Sequence, residues 1–405
     1  MSAPPDIRIL DRTTPPHVVT LILMAGISAM TMSIFLPSLP RMTEEFSTEY
    51  GVMQLSVSLY LACTAALQLI VGPLSDRFGR RPVVLGALVL FVVATLGCYL
   101  STTVEVFLAF RMLQASVAIC LVLSRANVRD MVPQDEAASV IGYVTMGMAL
   151  VPMAAPMIGG ALDEAFGWRS IFVFMALCGV AMLALCWADQ GETLNRQGLS
   201  FLDQVRGYPE LFTSPRFWGY VFAAAFASGA FFAFLGGAPY VATQVYGQSP
   251  AQAGFFFGVP ALGYAAGNFV SGRYSIRFGI DRMILTGTVI LVAGLATSLA
   301  ISYASYDSAW QFFGFCTFVG IGNGLVMPNA TAGMLSVRPH LAGTASGIGS
   351  AIMIGGGAGL STFAGAMLEG GNGSFPLQWI MLITAICSLL SVSFVFYRTR
   401  QLARM

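Results

Sequence analysis

The chain has 405 residues, 56% of them hydrophobic and only 10% charged, with a mean hydropathy of +0.76. Soluble domains carry about a quarter charged residues, so this composition excludes an ordinary soluble protein and points to a bilayer as the solvent. A net charge of +1 leaves no electrostatic footprint for nucleic acid.

The chain opens on the Pro-rich MSAPP with Asp6 and Asp11, then enters an apolar run that outlasts a signal peptide and has no A-x-A site. It is expected to be a retained first span. An α-helical span needs about 20 mostly apolar residues. Candidates fall near 18–40, 52–72, 82–101, 104–124, 138–161 and 169–188. After a polar stretch at 189–214 they resume near 215–238, 251–271, 283–303, 309–329, 341–367 and 376–397. These are long unbroken runs, not the alternating ten-residue segments of a β-barrel. The expected fold is an all-α membrane protein of twelve transmembrane helices. A six-helix bundle over 1–188 and a second over 215–405 would be joined by a cytoplasmic linker, 189–214.

All twenty basic residues are arginine. With the N-terminus inside, seventeen of them fall in inner segments and only Arg41 and Arg169 in outer ones, which predicts that both termini are cytoplasmic. The remaining one, Arg111, lies inside the fourth span. The seven cysteines sit in apolar segments without C-x-x-C or Cys/His spacing, so they read as buried packing thiols and no metal or other cofactor is implied. No G-x-S-x-G, H-E-x-x-H or Walker-type motif is present, so an enzyme is not expected.

The two halves repeat. GPLSDRFGRRP at 72–82 and GRYSIRFGIDR at 272–282 share Gly, Ser, Arg, Phe and Gly at a spacing of 200, each in the loop between the second and third spans of its half. Parallel repeats of this kind build alternating-access transporters, with the substrate held between the halves near the midplane. In the first copy Gly72 and Gly79 permit a tight turn and close helix approach. Asp76 can accept from backbone N–H groups while pairing with an arginine. Arg77, Arg80 and Arg81 either set topology alone or, with Asp76 and with Arg129 and Asp130 at the inner end of the fourth span, form a conformational latch. In VPMAAPMIGG at 151–160, Pro152 and Pro156 bend the fifth span. Gly159 and Gly160 allow a close neighbour, which fits either tight packing or a pliable gating helix.

GPLSDRFGRRPVVL resembles the signature loop of the major facilitator superfamily. SRANVRD at 124–130, VPMAAPMIGG, GWRSIF at 167–172, Glu192–Thr193, APYV at 238–241, PNA at 328–330 and AGTASG at 342–347 resemble the twelve-span drug:proton antiporters. Within that family they resemble the bicyclomycin/chloramphenicol resistance (Bcr/CflA) subfamily, along essentially the whole chain. The resemblance implies the major facilitator fold and drug efflux by antiport in a bacterial inner membrane. It also implies a first span in which an Asp precedes an apolar residue, Tyr, Leu and Pro. Here SIFLP puts Ser33 at the Asp position and Phe35 at the Tyr position, so the family's proton-carrying carboxylate has no counterpart.

No acid falls mid-membrane on these spans. The buried charge is Arg111, matching the family's intramembrane arginine, with Gln114 one turn on. It reads as a helix-tying hub, as a field that tunes a proton site, or as a contact for an anionic or carbonyl-rich substrate. Helical spacing gives the expected lining: Met30 and Ser33 on a face with Gly26 and Pro37, Gln54 and Ser58 with Tyr60 adjacent, Phe231 and Phe234, and Asn323 and Asn329. The expected function is proton-coupled export of neutral or anionic small molecules, by alternating access and without the family's first-span acid, by a monomer in the lipid bilayer. Any proton coupling would run through an end-of-span carboxylate such as Asp163, Glu164, Asp76 or Asp130, or through the substrate's own titration. A metabolite facilitator or importer and a non-transporting sensor are the alternatives.

Overall fold

The computed structural model describes residues 8–131, 151, 154–194, 208–304, 306–338, 342–368 and 373–402. Among them, eleven helices are long and apolar enough to cross a membrane. They are Val18–Glu45, Tyr50–Gly72, Arg80–Leu100, Val104–Val128, Arg169–Asp189, Pro215–Val245, Pro250–Phe278, Ile280–Tyr303, Ala309–Val337, Gly347–Leu368 and Phe375–Gln401. The expected fifth span, 138–161, lies largely outside the described residues; what is described there is helical over 154–166. Counted in chain order with that one included, the spans number twelve.

Several spans run past their expected ends, for reasons visible in the local chemistry. The first span begins at His17, whose imidazole accepts a hydrogen bond from the backbone N–H of Val19. Its regular helix stops at Ser33, passes through a 3₁₀ turn at Leu36–Ser38 and resumes over Leu39–Glu45. Pro37 and Pro40 each fall in the first positions of one of these short pieces, where a missing N–H removes no helix bond. The prolines therefore redirect the span without ending it. The second span continues to Phe78 and closes on Gly79 at φ +96°, while the eighth ends at Phe278 and closes on Gly279 at φ +84°. Each glycine donates its N–H to the serine carbonyl four residues back, Ser75 or Ser275, at 2.9 Å. The duplicated sequence thus folds into a duplicated turn that only glycine adopts without strain.

Small residues set how closely the helices pack. A Cβ on Gly320, Gly263, Gly267 or Gly324 would come within 1.8, 2.1, 2.4 and 2.5 Å of the carbonyl oxygens of Pro260, Thr317, Ile321 and Tyr264. The eighth and tenth spans therefore touch backbone to backbone. The cysteines are free thiols; Cys98, Cys120, Cys186 and Cys316 are buried as expected, whereas Cys63, Cys178 and Cys387 are only half-buried.

Both described ends of the chain and the two Gly79/Gly279 turns lie at one end of the bundle, here the near end. Tyr50, Glu164 and Pro250 lie at the far end. The first six and last six spans meet there, the second span against the eleventh and the fifth against the eighth.

Candidate functional site

Arg111 is fully buried, and the residues around it account for that. Its guanidinium donates to the carbonyls of Thr31 at 2.9 Å and Ser56 at 3.2 Å, and to the Gln114 side-chain oxygen. Gln114 passes the chain on to the Thr95 hydroxyl at 2.8 Å, and Thr95 donates to the Phe91 carbonyl. The flat cation is sandwiched between Phe35 at 4.3 Å and Tyr60 at 4.1 Å, an arrangement that compensates lost hydration. Four spans converge on one charge. Of the expected readings, this geometry displays the hub, with Phe35 and Tyr60 of the first two spans as its walls.

The other expected lining residues are engaged in helix contacts. Ser33 is buried, with its hydroxyl turned back onto the Ala29 carbonyl at 3.3 Å; Ser58 likewise donates to Gln54. Asn323 donates to Ala227 of the seventh span at 3.0 Å, and Asn329 to the Ser271 hydroxyl of the eighth at 2.7 Å. Phe234 lies buried edge-on to Phe257 and Phe313. Met30 and Phe231 keep partial exposure.

At the near end, Arg80 is the centre of the expected latch. It pairs with Asp76 at 2.6 Å and with Asp130 at 3.0 Å, and also donates to Ser75. The carboxylate of Glu192, at the end of the sixth span, accepts from the backbone N–H of Arg80 at 2.8 Å and of Arg81 at 3.3 Å. Thr193 donates to Asn127 at 2.9 Å. Glu192 lies so close to Gly79 that a Cβ there would meet its oxygen at 2.5 Å. Gly72, by contrast, has open space beside it, so no neighbour requires its lack of a side chain in this conformation. Arg77 is exposed and packs on Phe78; the Arg129 side chain and Pro152 lie outside the described residues. The cluster joins the second, third, fourth and sixth spans, all of one half. The second copy keeps the turn but places Ile276, 98% exposed, where the first has Asp76.

At the far end the halves are in direct contact. Gln54 donates to the Ser361 carbonyl at 2.9 Å and to its hydroxyl at 2.6 Å, and Tyr50 donates to the Gly236 carbonyl at 3.0 Å. Gly160 of the fifth span abuts the Pro250 carbonyl, and Gly254 of the eighth abuts the Pro156 carbonyl. Asp163 is wholly buried and held by Arg41 at 2.9 Å, while Arg41 is half exposed. Removing Arg41 strands that carboxylate. Arg41→Ala is expected to cost about 1.5 kcal/mol, and Arg41→Ala/Asp163→Asn to recover most of it, as read from thermal unfolding in detergent.

Two bundles of spans closed at one end describe a carrier, and the comparisons agree. The family model for the Major Facilitator Superfamily matches residues 21–361 and 235–404. The chain belongs to the major facilitator superfamily. A chloramphenicol resistance protein of Pseudomonas aeruginosa is 32% identical over 80% of this chain and 77% of its own. A bicyclomycin resistance protein homolog of Haemophilus influenzae is 27% identical over 96% and 98% of the two chains, and multidrug resistance protein D of Escherichia coli is 27% identical over 91% and 94%. These relatives bear out the Bcr/CflA resemblance read from the motifs. Among solved structures, a D-xylose–proton symporter superposes with a TM-score of 0.74 at 14% identity, covering 93% and 96% of the two chains. An inward-facing bacterial homolog of the human lysosomal transporter Spinster gives 0.71 at 18%, covering 95% and 96%. These two likenesses establish the fold. This facilitator is a multi-pass membrane transporter of small molecules and not an enzyme.

Sequence reasoning found Arg111 and the Asp76 loop but missed Ser361, Thr95 and the Glu164–Ser249 contact described below. Ser361 stands in a run of Gly, Ala and Ser where nothing marks one serine over another. Glu192 carried a signal as part of the Glu192–Thr193 pair.

Proposed function

We propose that this facilitator exports neutral or anionic small organic molecules across a bacterial inner membrane, acting as a monomer by alternating access. Its bundles would be 1–188 and 215–405, hinged on a cytoplasmic linker at 189–214. The observation that carries the reading is the far-end closure, in which the second span meets the eleventh and the fifth meets the eighth. The arginine bias puts the near end, with both termini, in the cytoplasm. The far-end contacts then seal the outer side, as the inward-facing arrangement of an alternating-access carrier requires. The names of the relatives support drug efflux as the direction.

The electrostatics support the substrate class. Ser33 offers no charge, and the Thr31 carbonyl two residues before it accepts from the buried Arg111 cation, which disfavours a second cation nearby. Coupling to protons falls to end-of-span carboxylates or to the substrate's own titration. The Asp76–Arg80–Asp130 cluster, confined to one half in this state, has Gly72 open beside it. That room suits docking of the second half when the near end closes.

The test is survival of efflux-deficient cells expressing this chain, challenged with cationic, neutral and anionic antibiotics, together with uptake into inverted vesicles. Protection against neutral phenicols or anionic compounds is expected; protection confined to quaternary ammonium compounds overturns the substrate class. Uptake that survives dissipation of the pH gradient removes proton coupling. In the same vesicles Asp76→Asn is expected to lower kcat about tenfold with KM nearly unchanged, because it acts on the conformational step.

A further inference from the structure

Asp163 and Glu164 are adjacent acids at the far end of the fifth span, and they face opposite ways. Asp163 turns into its own half, where Arg41 of the first span holds both its carboxylate and its carbonyl, at 2.9 and 3.0 Å. Glu164 reaches out of that half. Its Oε2 accepts from the Ser249 hydroxyl at 3.1 Å and lies 3.4 Å from the backbone N–H of Ala251. Those two groups open the eighth span, a 29-residue helix of the other half. Ser249 is that helix's N-cap: its Oγ accepts from Gln252 N–H at 3.3 Å, and the Gln252 side chain accepts from Ser249 N–H at 3.0 Å. The serine hydroxyl is thus oriented by its own helix and spends its proton on the other half's carboxylate.

We propose that Glu164 is an outer latch: a carboxylate of the first half that caps the eighth helix of the second half and stabilises the transporter with its outer side closed. This rests on the alternating-access reading above and names the residue that sets its conformational balance. The physical basis is the partial positive charge of a helix N-terminus and the extra strength of hydrogen bonds to an ionised acceptor. Both interactions exist only while the halves touch, so their free energy belongs to the closed outer side alone, which is what shifting a two-state equilibrium requires. The Asp163–Arg41 pair fixes the base of the arm, and Gly160 and Gly254 bring the two backbones close enough for it to reach. The charges around the arm are Arg41 and Asp163 on the first-half side, with the Glu45–Arg169 pair beyond; on the eighth-span side the groups in contact are the neutral Ser249 and Ala251. The carboxylate is solvent-exposed. Its loss therefore leaves no buried group unpaired.

The test measures the distance across the outer side by spin labels carried on unnatural side chains at Ser47 and Gln244. The full-length protein sits in lipid nanodiscs without substrate, and its native cysteines stay in place. Glu164→Gln is expected to raise the ratio of open to closed outer side about threefold, and Glu164→Arg, which sets a cation against the helix N-terminus, about tenfold. Glu164→Asp should fall between the parent and Glu164→Gln. Combined with Ser249→Ala, Glu164→Gln should change the ratio by less than the sum of the two single effects, because both weaken the same contact. Distance distributions for Glu164→Arg that match the parent's overturn the latch, as do effects of Glu164→Gln and Ser249→Ala that simply add. Since no substrate is present, a failed export assay would leave this result standing, and the reverse.

Discussion

Replacing Gly160 with leucine is expected to hold the outer side of the transporter open and to stop turnover. A Cβ at Gly160 would lie 2.2 Å from the Pro250 carbonyl oxygen, and at Gly254 2.3 Å from that of Pro156. Both obstacles are backbone, which cannot rotate away as a side chain does. Closure would have to displace an entire span, and overpacking of this kind costs about 1–3 kcal/mol even in a yielding core. A cost of that size, set against a conformational equilibrium of a few kcal/mol, shifts populations by about 5- to 150-fold. Labelling of an outer-side residue should become constitutive in Gly160→Leu and in Gly254→Leu, with transport lost in both. Gly356→Ala, where a Cβ meets nothing within 4 Å, is the matched control and should transport normally. Closed outer-side distances in Gly160→Leu would show that the fifth and eighth spans do not form the gate.

Arg111→Ala is expected to abolish transport and to lower the stability of the inserted protein by about 3 kcal/mol or more, the scale for breaking a buried charged network. The loss has several parts. The Gln114 oxygen and the carbonyls of Thr31 and Ser56 each lose a donor, and Phe35 and Tyr60 face a void where the guanidinium lay. Lysine should not rescue. It keeps the charge but not the planar fork that reaches three partners while lying between two rings. Thermal unfolding in detergent, run beside transport in vesicles, separates the outcomes. A variant with parental melting and no transport would make Arg111 a substrate contact first and a hub second. Unchanged transport would remove it from the site.

What the sequence made legible follows from how loudly each residue speaks. A charge inside an apolar run is conspicuous, so Arg111 and its neighbour Gln114 could be picked out without coordinates. The repeated loop carries glycines whose positive φ is close to a chemical requirement, and Gly79 and Gly279 adopt it, whereas Gly72, also read as a turn residue, stays inside the second-span helix. The lining was harder. Asn323, Asn329, Ser58 and Phe234 share helical faces with plausible cavity positions, yet each is engaged by a neighbouring helix or its own backbone in this conformation. In a helix that is apolar all round, periodicity does not separate lipid, cavity and partner helix, because hydrophobic side chains suit all three. The cross-half contacts were invisible for a related reason. Gln54, Ser361, Glu164 and Ser249 are ordinary residues whose importance comes from what the other half places opposite them. Span ends were underestimated at the first, second, eighth and tenth spans, since helices continue past the apolar stretch where capping and ion pairs at either end support them.

The two Gly79 and Gly279 turns have one further consequence. They are the same piece of backbone kept twice, yet the acid that gives the first its ion pairs is an exposed isoleucine in the second. After a duplication, geometry held by glycine is difficult to alter without losing the fold, whereas a surface side chain is free to drift or specialise. The repeat's symmetry therefore survives in backbone shape, while the ion pairs of Arg80 with Asp76 and Asp130 stand in one half alone. A chimera fusing two copies of the first half would inherit two charged loops where the present protein tolerates one.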